Sequence, residues 1–132
     1  MTSANYSFRE KQKLEIFEDT RGKLNVLEFS HLEKQVQRIF WITNVPKNET
    51  RANHGHYKGT QVIICINESV KITRERADGS KDTLVLELDE MVTIDPMTWI
   101  SISFSSNLAT VLILADSKYD KSDVFTSLDE IV

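Results

Sequence analysis

The chain has 132 residues, of which 40% are hydrophobic and 27% charged, so we expect residues 1–132 to form a single globular domain. The net charge is −4 and no basic tract is present, which argues against a nucleic-acid partner. No apolar run approaches the roughly eighteen residues of a membrane span, and the N-terminus lacks an apolar signal core. We therefore expect a cytoplasmic protein with no membrane partner, in which the only cysteine, Cys65, is a core thiol.

Alternation of apolar and polar side chains with a period of two dominates the sequence and predicts β-strands. In chain order, strands are expected at residues 13–17, 24–29, 36–42, 61–67, 70–76, 83–88, 91–94, 99–104 and 110–115. The strands at 61–67 and 70–76 read as a consecutive pair, and the Asp-Gly sequence within residues 77–80 predicts a hairpin turn. Only residues 120–132 suggest a short helix.

Nine or ten short strands with almost no helix predict an all-β fold. The pattern is typical of a cupin or jelly-roll domain, an antiparallel double-sheet barrel, here with a short C-terminal helix at most. The interior of such a barrel is wide enough for one small ligand, so the functional site is expected inside it.

The stretch RANHGHYK at residues 51–58 contains His54 and His56, which share one face if the segment is a strand. The His-x-His pair resembles the start of the usual metal-binding motif of cupins, which also needs a carboxylate a few residues later and another histidine near the chain's end. The chain has the neutral Gln61 there, and its remaining histidine, His31, lies upstream and is expected at the surface. We therefore predict no metal and no cofactor, and the residues alone leave an acid/base pair and simple lining residues as alternatives.

Six segments, in order, resemble the TDP-4-keto-6-deoxyglucose 3,4-ketoisomerase family of cupins. They run from about residue 19 to 125 and comprise DTRGKL at 19–24 followed by Glu28, QRIFWI at 37–42, RANHGH at 51–56 followed by Gln61, PMTW at 96–99, FSS at 104–106, and ADSKYD at 115–120 followed by Asp123. The chain departs from the family at Ile100, where a polar or ionisable residue is common. This departure concerns which keto-sugar is used, or which stereoisomer is formed, more than the fold.

The resemblance implies a metal-free isomerase that moves the ketone from C4 to C3 of a TDP-linked sugar through an enediol. One of His54 and His56 would remove the C3 proton and the other would move protons between O3, O4 and C4, with the assignment left open. The implied substrate-binding residues are Arg38 and Arg51 on the diphosphate, Gln61 on the sugar, Trp99 on the sugar or base, and Arg21 and Tyr119 as weaker candidates.

The resemblance also implies a homodimer, in which about residues 1–17 could be an arm exchanged between subunits. The implied pathway is bacterial: a transaminase would then make a 3-amino-3,6-dideoxy sugar for a surface polysaccharide such as an O-antigen. Two alternatives remain, namely a cupin that binds a nucleotide sugar without chemistry and a sugar 3,5-epimerase. The nucleotide carrier and the C4 stereochemistry of the product stay open.

Overall fold

The segments with alternating apolar and polar residues form short strands between residues 12 and 125. The computed structural model describes residues 6–29 and 32–131, so His31 lies outside the described residues. The strands are β1 (Gln12–Lys13), β2 (Glu15–Asp19), β3 (Gly22–Val26), β4 (Arg38–Ile42), β5 (Thr50–His56), β6 (Gln61–Asn67), β7 (Val70–Glu75), β8 (Lys81–Leu86), β9 (Glu90–Ile94), β10 (Trp99–Phe104), β11 (Thr110–Ala115) and β12 (Val124–Phe125). None of the helical segments among the described residues has the length and hydropathy needed to span a bilayer.

Two five-stranded antiparallel sheets make up the body. The first has the order β1-β9-β6-β11-β4, the second has the order β12-β5-β10-β7-β8, and β2 and β3 form a separate hairpin. β6 and β7 are consecutive but belong to different sheets, so the chain crosses between sheets at Glu68, which adopts a left-handed φ of 57°. The turn after β7 closes a true β7–β8 hairpin, with Gly79 at φ 93°. The all-β, double-sheet antiparallel fold is confirmed.

The main core lies between the two sheets and is built from their inward-facing apolar side chains. Ile63 and Val111 of the first sheet and Ile72 and Ile102 of the second are fully buried in it. Cys65 is buried in the same core, and desolvation raises the pKa of its thiol to about 11. Cys65 is thus buried in the core, as expected from the sequence.

The outer face of the first sheet is only partly covered. Leu14, Leu27, Leu32 and Val36 are among the side chains that pack on its buried residues. Ile39 and Trp41, on the edge strand β4, remain exposed, Trp41 to 65%. An exposed tryptophan on a sheet face is a feature of interaction surfaces.

The N-terminal segment packs on the body of the same chain. β1 pairs with β9, and the hydroxyl of Tyr6 donates a hydrogen bond to the carboxylate of Asp95. Arg9 forms ion pairs with Glu33 and Asp95. An exchange of this arm between subunits stays a prediction, and residues 1–5 of it lie outside the described part of the chain.

The C-terminal segment differs from the expected helix. Two 3-10 turns, Lys121–Asp123 and Leu128–Glu130, flank the short strand β12. The side chains of Asp120 and Ser127 cap the two turns by accepting backbone N–H groups. Phe125 is fully buried and β12 pairs with β5, so burial of an aromatic side chain outweighs the helical preference of the surrounding residues.

Candidate active site

β5 carries the two predicted histidines and contains a β-bulge. Ile100 of β10 pairs with His54, whereas Ser101 pairs with Ala52, so Asn53 is the extra residue. Ala52 and Asn53 adopt left-handed φ values of 73° and 54°. Because such values are costly for residues other than glycine, the bulge is a locally strained backbone that aims the following residue into the barrel.

The bulge also sets the protonation pattern of His54. Nδ1 of His54 lies 2.7 Å from the carbonyl oxygen of Ala52. A carbonyl can only accept, so Nδ1 carries the proton and, in the neutral ring, Nε2 is the nitrogen with a free lone pair. His54 lines the interior cavity. This geometry gives the cavity an imidazole that can accept a proton.

His56 lies beside His54, as the strand spacing predicts. The ring centroids are 5.2 Å apart and the ring planes are inclined by 77°. Nε2 of His56 is 3.2 Å from the side-chain nitrogen of Gln61, and Nδ1 is 3.5 Å from Oδ2 of Asp123. Both nitrogens of His56 therefore face a polar side chain.

The surroundings of His56 disfavour its charged form. Burial lowers the pKa of His56 below its ordinary value, the neighbouring His54 and Arg38 lower it further, and the Asp123 carboxylate partly opposes the shift. A neutral imidazole in this position can both accept and release protons.

The residue between the two histidines, Gly55, has no room for a side chain because the space beside its Cα is already filled. A Cβ atom at this position would overlap the Phe125 ring and the carbonyl oxygen of Thr98. The glycine thus allows β12 and the loop before β10 to close over the histidine-bearing strand.

The interior cavity next to the histidines has a volume of about 400 Å³. This is within the range of small-molecule sites, roughly 300–1,000 Å³. Its wall combines polar and apolar side chains, among them His54, Gln61, Arg51, Phe40, Ile100 and Ile113. A smaller cavity of about 80 Å³ lies on the other face of the first sheet, beneath residues 32–36, and contains neither histidine.

Arg38 points inward from β4, on the same face as Phe40 and Ile42. Its guanidinium carbon lies 5.1 Å from the ring centroid of Phe40 and 5.6 Å from that of Tyr119. Its Nε is buried and has no hydrogen-bond partner within the described part of the chain. An unpaired buried donor is costly, so Arg38 is suited to receive an oxygen of a bound ligand.

The remaining predicted site residues lie at different distances from this centre. Arg51 is exposed at the rim of the cavity, and Tyr119 is exposed above Arg38. Trp99 faces away from Ile100 and donates its ring N–H to the carbonyl oxygen of Thr126, 3.0 Å away. Arg21 is 88% exposed at the tip of the β2–β3 hairpin, paired with Asp19. Within a single chain, therefore, neither Trp99 nor Arg21 lies next to the histidines.

Asp123 lies beside His56, although no role was predicted for it from the sequence. Its carboxylate faces His56. It also accepts the backbone N–H of Lys58, which lies 65 residues earlier in the chain. The only sequence signal for it was its place after ADSKYD in the closing segment. Across residues 6–29 and 32–131, no group of three or more His, Cys, Asp or Glu side chains is arranged to hold a metal ion.

Comparisons with known proteins identify the family of this chain. The family model described as "FdtA: WxcM-like, C-terminal" matches residues 8–132. A TDP-4-oxo-6-deoxy-alpha-D-glucose-3,4-oxoisomerase from Aneurinibacillus thermoaerophilus is 23% identical over 112 residues, covering 84% of this chain and 81% of that protein.

Two solved structures of one enzyme are also similar. QdtA, a sugar 3,4-ketoisomerase from Thermoanaerobacterium thermosaccharolyticum in complex with TDP, superposes with a TM-score of 0.84 at 29% identity, covering 92% of this chain and 93% of that one. Its histidine-to-asparagine variant in complex with TDP-4-keto-6-deoxyglucose gives a TM-score of 0.86 at 27% identity, covering 96% and 95%.

Proposed function

The chain belongs to the WxcM-like FdtA family, and from this premise we propose that it converts TDP-4-keto-6-deoxyglucose into a TDP-3-keto-6-deoxyhexose. The isomerase class predicted from the sequence is confirmed, because the relative and the solved structures are sugar 3,4-ketoisomerases by name. The observation that carries the specific proposal is the cavity of about 400 Å³ lined by His54, whose Nδ1 lies 2.7 Å from the carbonyl oxygen of Ala52.

The reaction consists of two tautomerisation steps, each of which removes one proton and adds another. The carbonyl at C4 acidifies the C3 proton, and its removal with protonation of O4 gives an enediol. Loss of the O3 proton and delivery of a proton to C4 then give the 3-keto sugar. No electrons leave the substrate, so neither a redox cofactor nor a metal is formally required.

His54 is the base that removes the C3 proton. Its Nδ1–H is held by Ala52, which leaves Nε2 as the acceptor facing the ligand space. A positioned acid/base group of this kind contributes about 10²–10⁴-fold to the rate. The bulged backbone fixes the ring before the substrate arrives, which reduces the cost of orienting it in the transition state.

His56 moves protons between the sugar oxygens and C4. It is in edge contact with His54 and stays neutral because burial lowers its pKa. Gln61 lines the cavity and also contacts His56, so it can hydrogen-bond the sugar while orienting the ring.

The two arginines serve different parts of the ligand. Arg38 was expected on the diphosphate, but its unpaired buried Nε and its influence on His56 favour another role, namely to supply positive charge to the developing enediolate. Arg51, exposed at the rim, binds the diphosphate, for which a guanidinium fork is well matched. Tyr119 covers Arg38 from the solvent side.

The functional unit is a homodimer. Exposed apolar side chains occur on the β2–β3 hairpin, at Phe17 and Leu24, and on the first sheet, at Ile39 and Trp41. A second copy of the chain would cover them. Contact of Arg21 or Trp99 with the substrate would require such an assembly.

The 3-keto product is suited to a transaminase that installs a 3-amino group, in bacterial biosynthesis of a surface polysaccharide.

The test is proton NMR of the purified protein with TDP-4-keto-6-deoxyglucose in deuterium oxide, with and without chelator. We expect loss of the C3 proton signal and a new 3-keto product in both conditions. Saturable binding without exchange would instead indicate a binding module. Exchange at C5 as well as C3 would indicate a 3,5-epimerase.

A further inference from the structure

Asp123 is held rigidly against the end of the histidine-bearing strand. Its Oδ1 accepts the backbone N–H of Lys58 at 2.8 Å and its Oδ2 accepts that of Gly59 at 3.1 Å. Its own backbone carbonyl accepts the N–H of Tyr57 at 2.9 Å. A carboxylate with two backbone donors keeps a fixed position, and hydrogen bonds to it are charge-assisted.

The same segment brings the carboxylate next to His56. β12 begins at the following residue and pairs Val124 with His56 and Phe125 with Gly55. Oδ2 of Asp123 lies 3.5 Å from Nδ1 of His56, and both side chains are only 13% exposed. At this depth the interaction is screened less than an ion pair on the surface.

The two neighbours of His56 select one arrangement of its protons. A carboxylate accepts only, so it favours the proton on Nδ1. Nε2 is then the acceptor and receives the amide hydrogen of Gln61, which is 3.2 Å away. The carboxylate also favours the imidazolium that forms when His56 takes up a proton.

We propose that Asp123 is a positioning residue that fixes the Nδ1–H form of His56 and stabilises its protonated form during proton transfer. The proposal rests on the proposed function for its catalytic consequence, whereas the coupling between the two side chains stands on its own. It identifies the C-terminal segment as part of the catalytic apparatus and not only as a cover for the core.

The charges around His56 agree with this role. His54 from the same strand and Arg38 from β4 lower the pKa of His56, and Asp123 from the C-terminal segment raises it. Gln61 from β6 is neutral. Of the charged or titratable groups acting on His56, Asp123 is the one that favours the protonated ring.

Asp116 provides a matched control. Its Oδ1 accepts the backbone N–H of Thr60 at 2.9 Å, so it caps the same loop that Asp123 caps. No imidazole contact accompanies it among the described side-chain contacts. Asp116→Asn therefore tests the loss of a carboxylate charge on the same loop, since the asparagine oxygen can still accept the Thr60 N–H.

The experiment compares the wild type, Asp123→Asn, Asp116→Asn and the double variant His56→Gln/Asp123→Asn against His56→Gln. Proton NMR titration of the imidazole signals, assigned with His56→Gln, measures the protonation of His56 without substrate. We expect Asp123→Asn to lower the pKa of His56 and Asp116→Asn to leave it unchanged. Thermal unfolding of each variant checks that the fold is retained.

Turnover provides the second readout. We expect Asp123→Asn to lower kcat by about 10- to 100-fold with a smaller change in KM. It should have no further effect on kcat in the His56→Gln background, and Asp116→Asn should leave kcat essentially unchanged. Equal losses in the two single asparagine variants, or an unmoved His56 titration, would overturn the proposal. A shifted titration in a protein with no turnover would support the coupling and reject the proposed function.

Discussion

His54 of β5 lies directly opposite Ile100 of β10, and both side chains line the interior cavity. The imidazole that faces the ligand space is therefore bordered by a buried apolar side chain. An apolar neighbour supplies no competing proton acceptor beside the imidazole. In the proposed mechanism, proton abstraction at this wall would therefore depend on His54.

The first prediction separates the roles of the two histidines. His54→Asn should abolish exchange of the C3 proton, a loss of about 10²–10⁴-fold. His56→Asn should still allow slow exchange at C3 but form little 3-keto product, because the return of a proton to C4 is impaired. Proton NMR in deuterium oxide reports both steps. Equal exchange rates in the two variants would contradict the assignment.

The second prediction concerns Gln61. Gln61→Leu removes the donor that Nε2 of His56 faces and leaves a buried polar atom unpaired, which costs about 1–3 kcal/mol of unfolding free energy. Turnover should fall as the ring loses its orientation. Urea unfolding and product formation measure the two effects. The control is Gln37→Leu, an exposed glutamine next to β4, which should change neither quantity.

The third prediction is a pH dependence of stability. Because burial and His54 lower the pKa of His56, the unfolded chain binds more protons than the folded one just below pH 6.5, the ordinary histidine value being about 6.5. The contribution of His56 to stability is therefore complete above that pH and declines as the pH falls toward the lowered value. The free energy of unfolding, measured with urea at several pH values in this window, should change more steeply with pH for the wild type than for His56→Gln. Identical slopes would count against the shift.

The fourth prediction distinguishes the arginines. Arg51→Gln should weaken TDP binding by about 10- to 100-fold, the loss expected for one charged hydrogen bond of roughly 1.5–3 kcal/mol, with little change in kcat. Arg38→Gln should lower kcat more strongly than it weakens TDP binding, because Arg38 acts near His56. Isothermal titration with TDP and steady-state kinetics give the two quantities. The opposite pattern would exchange the two roles.

The fifth prediction addresses assembly. Trp41→Glu places a charge on the exposed part of the first sheet and should convert a dimer into monomers, because the charge would be desolvated at the interface. Leu88→Glu, at an exposed apolar residue between β8 and β9, is the control. Analytical ultracentrifugation measures the mass of each. A Trp41 variant that remains dimeric would locate the interface elsewhere.

Much of the fold could be predicted from the sequence because the strands alternate clearly. The bounds of β6, β10 and β11 agree with the expected ones, and the Asp-Gly turn forms the β7–β8 hairpin. The crossing from β6 to β7 could not be predicted, since periodicity describes the two faces of a strand and not its sheet. The C-terminal strand was missed because its formation depends on long-range burial of Phe125.

The site was only partly accessible to sequence reasoning. Period two correctly brings His54 and His56 together and turns Arg38 inward, on the face of Phe40. The same rule implies that Trp99 and Ile100 point to opposite faces, and the structure agrees. The left-handed backbone at Ala52 and Asn53, where the Ala52 carbonyl holds the proton on Nδ1 of His54, could not be predicted, because residues other than glycine give no strong sequence signal for this conformation.

The pairing of β12 with β5 has a consequence for the order of protein synthesis. The ribosome releases the strand with both histidines well before Asp123 and Phe125 emerge, since Lys58 and Asp123 are 65 positions apart. A nascent chain at that stage carries the imidazoles without the carboxylate and aromatic ring that enclose them. In the proposed mechanism, the bases would therefore reach their final arrangement only once β12 docks on β5, and a shortened message that stops before Asp123 would yield a chain with both imidazoles but without that arrangement.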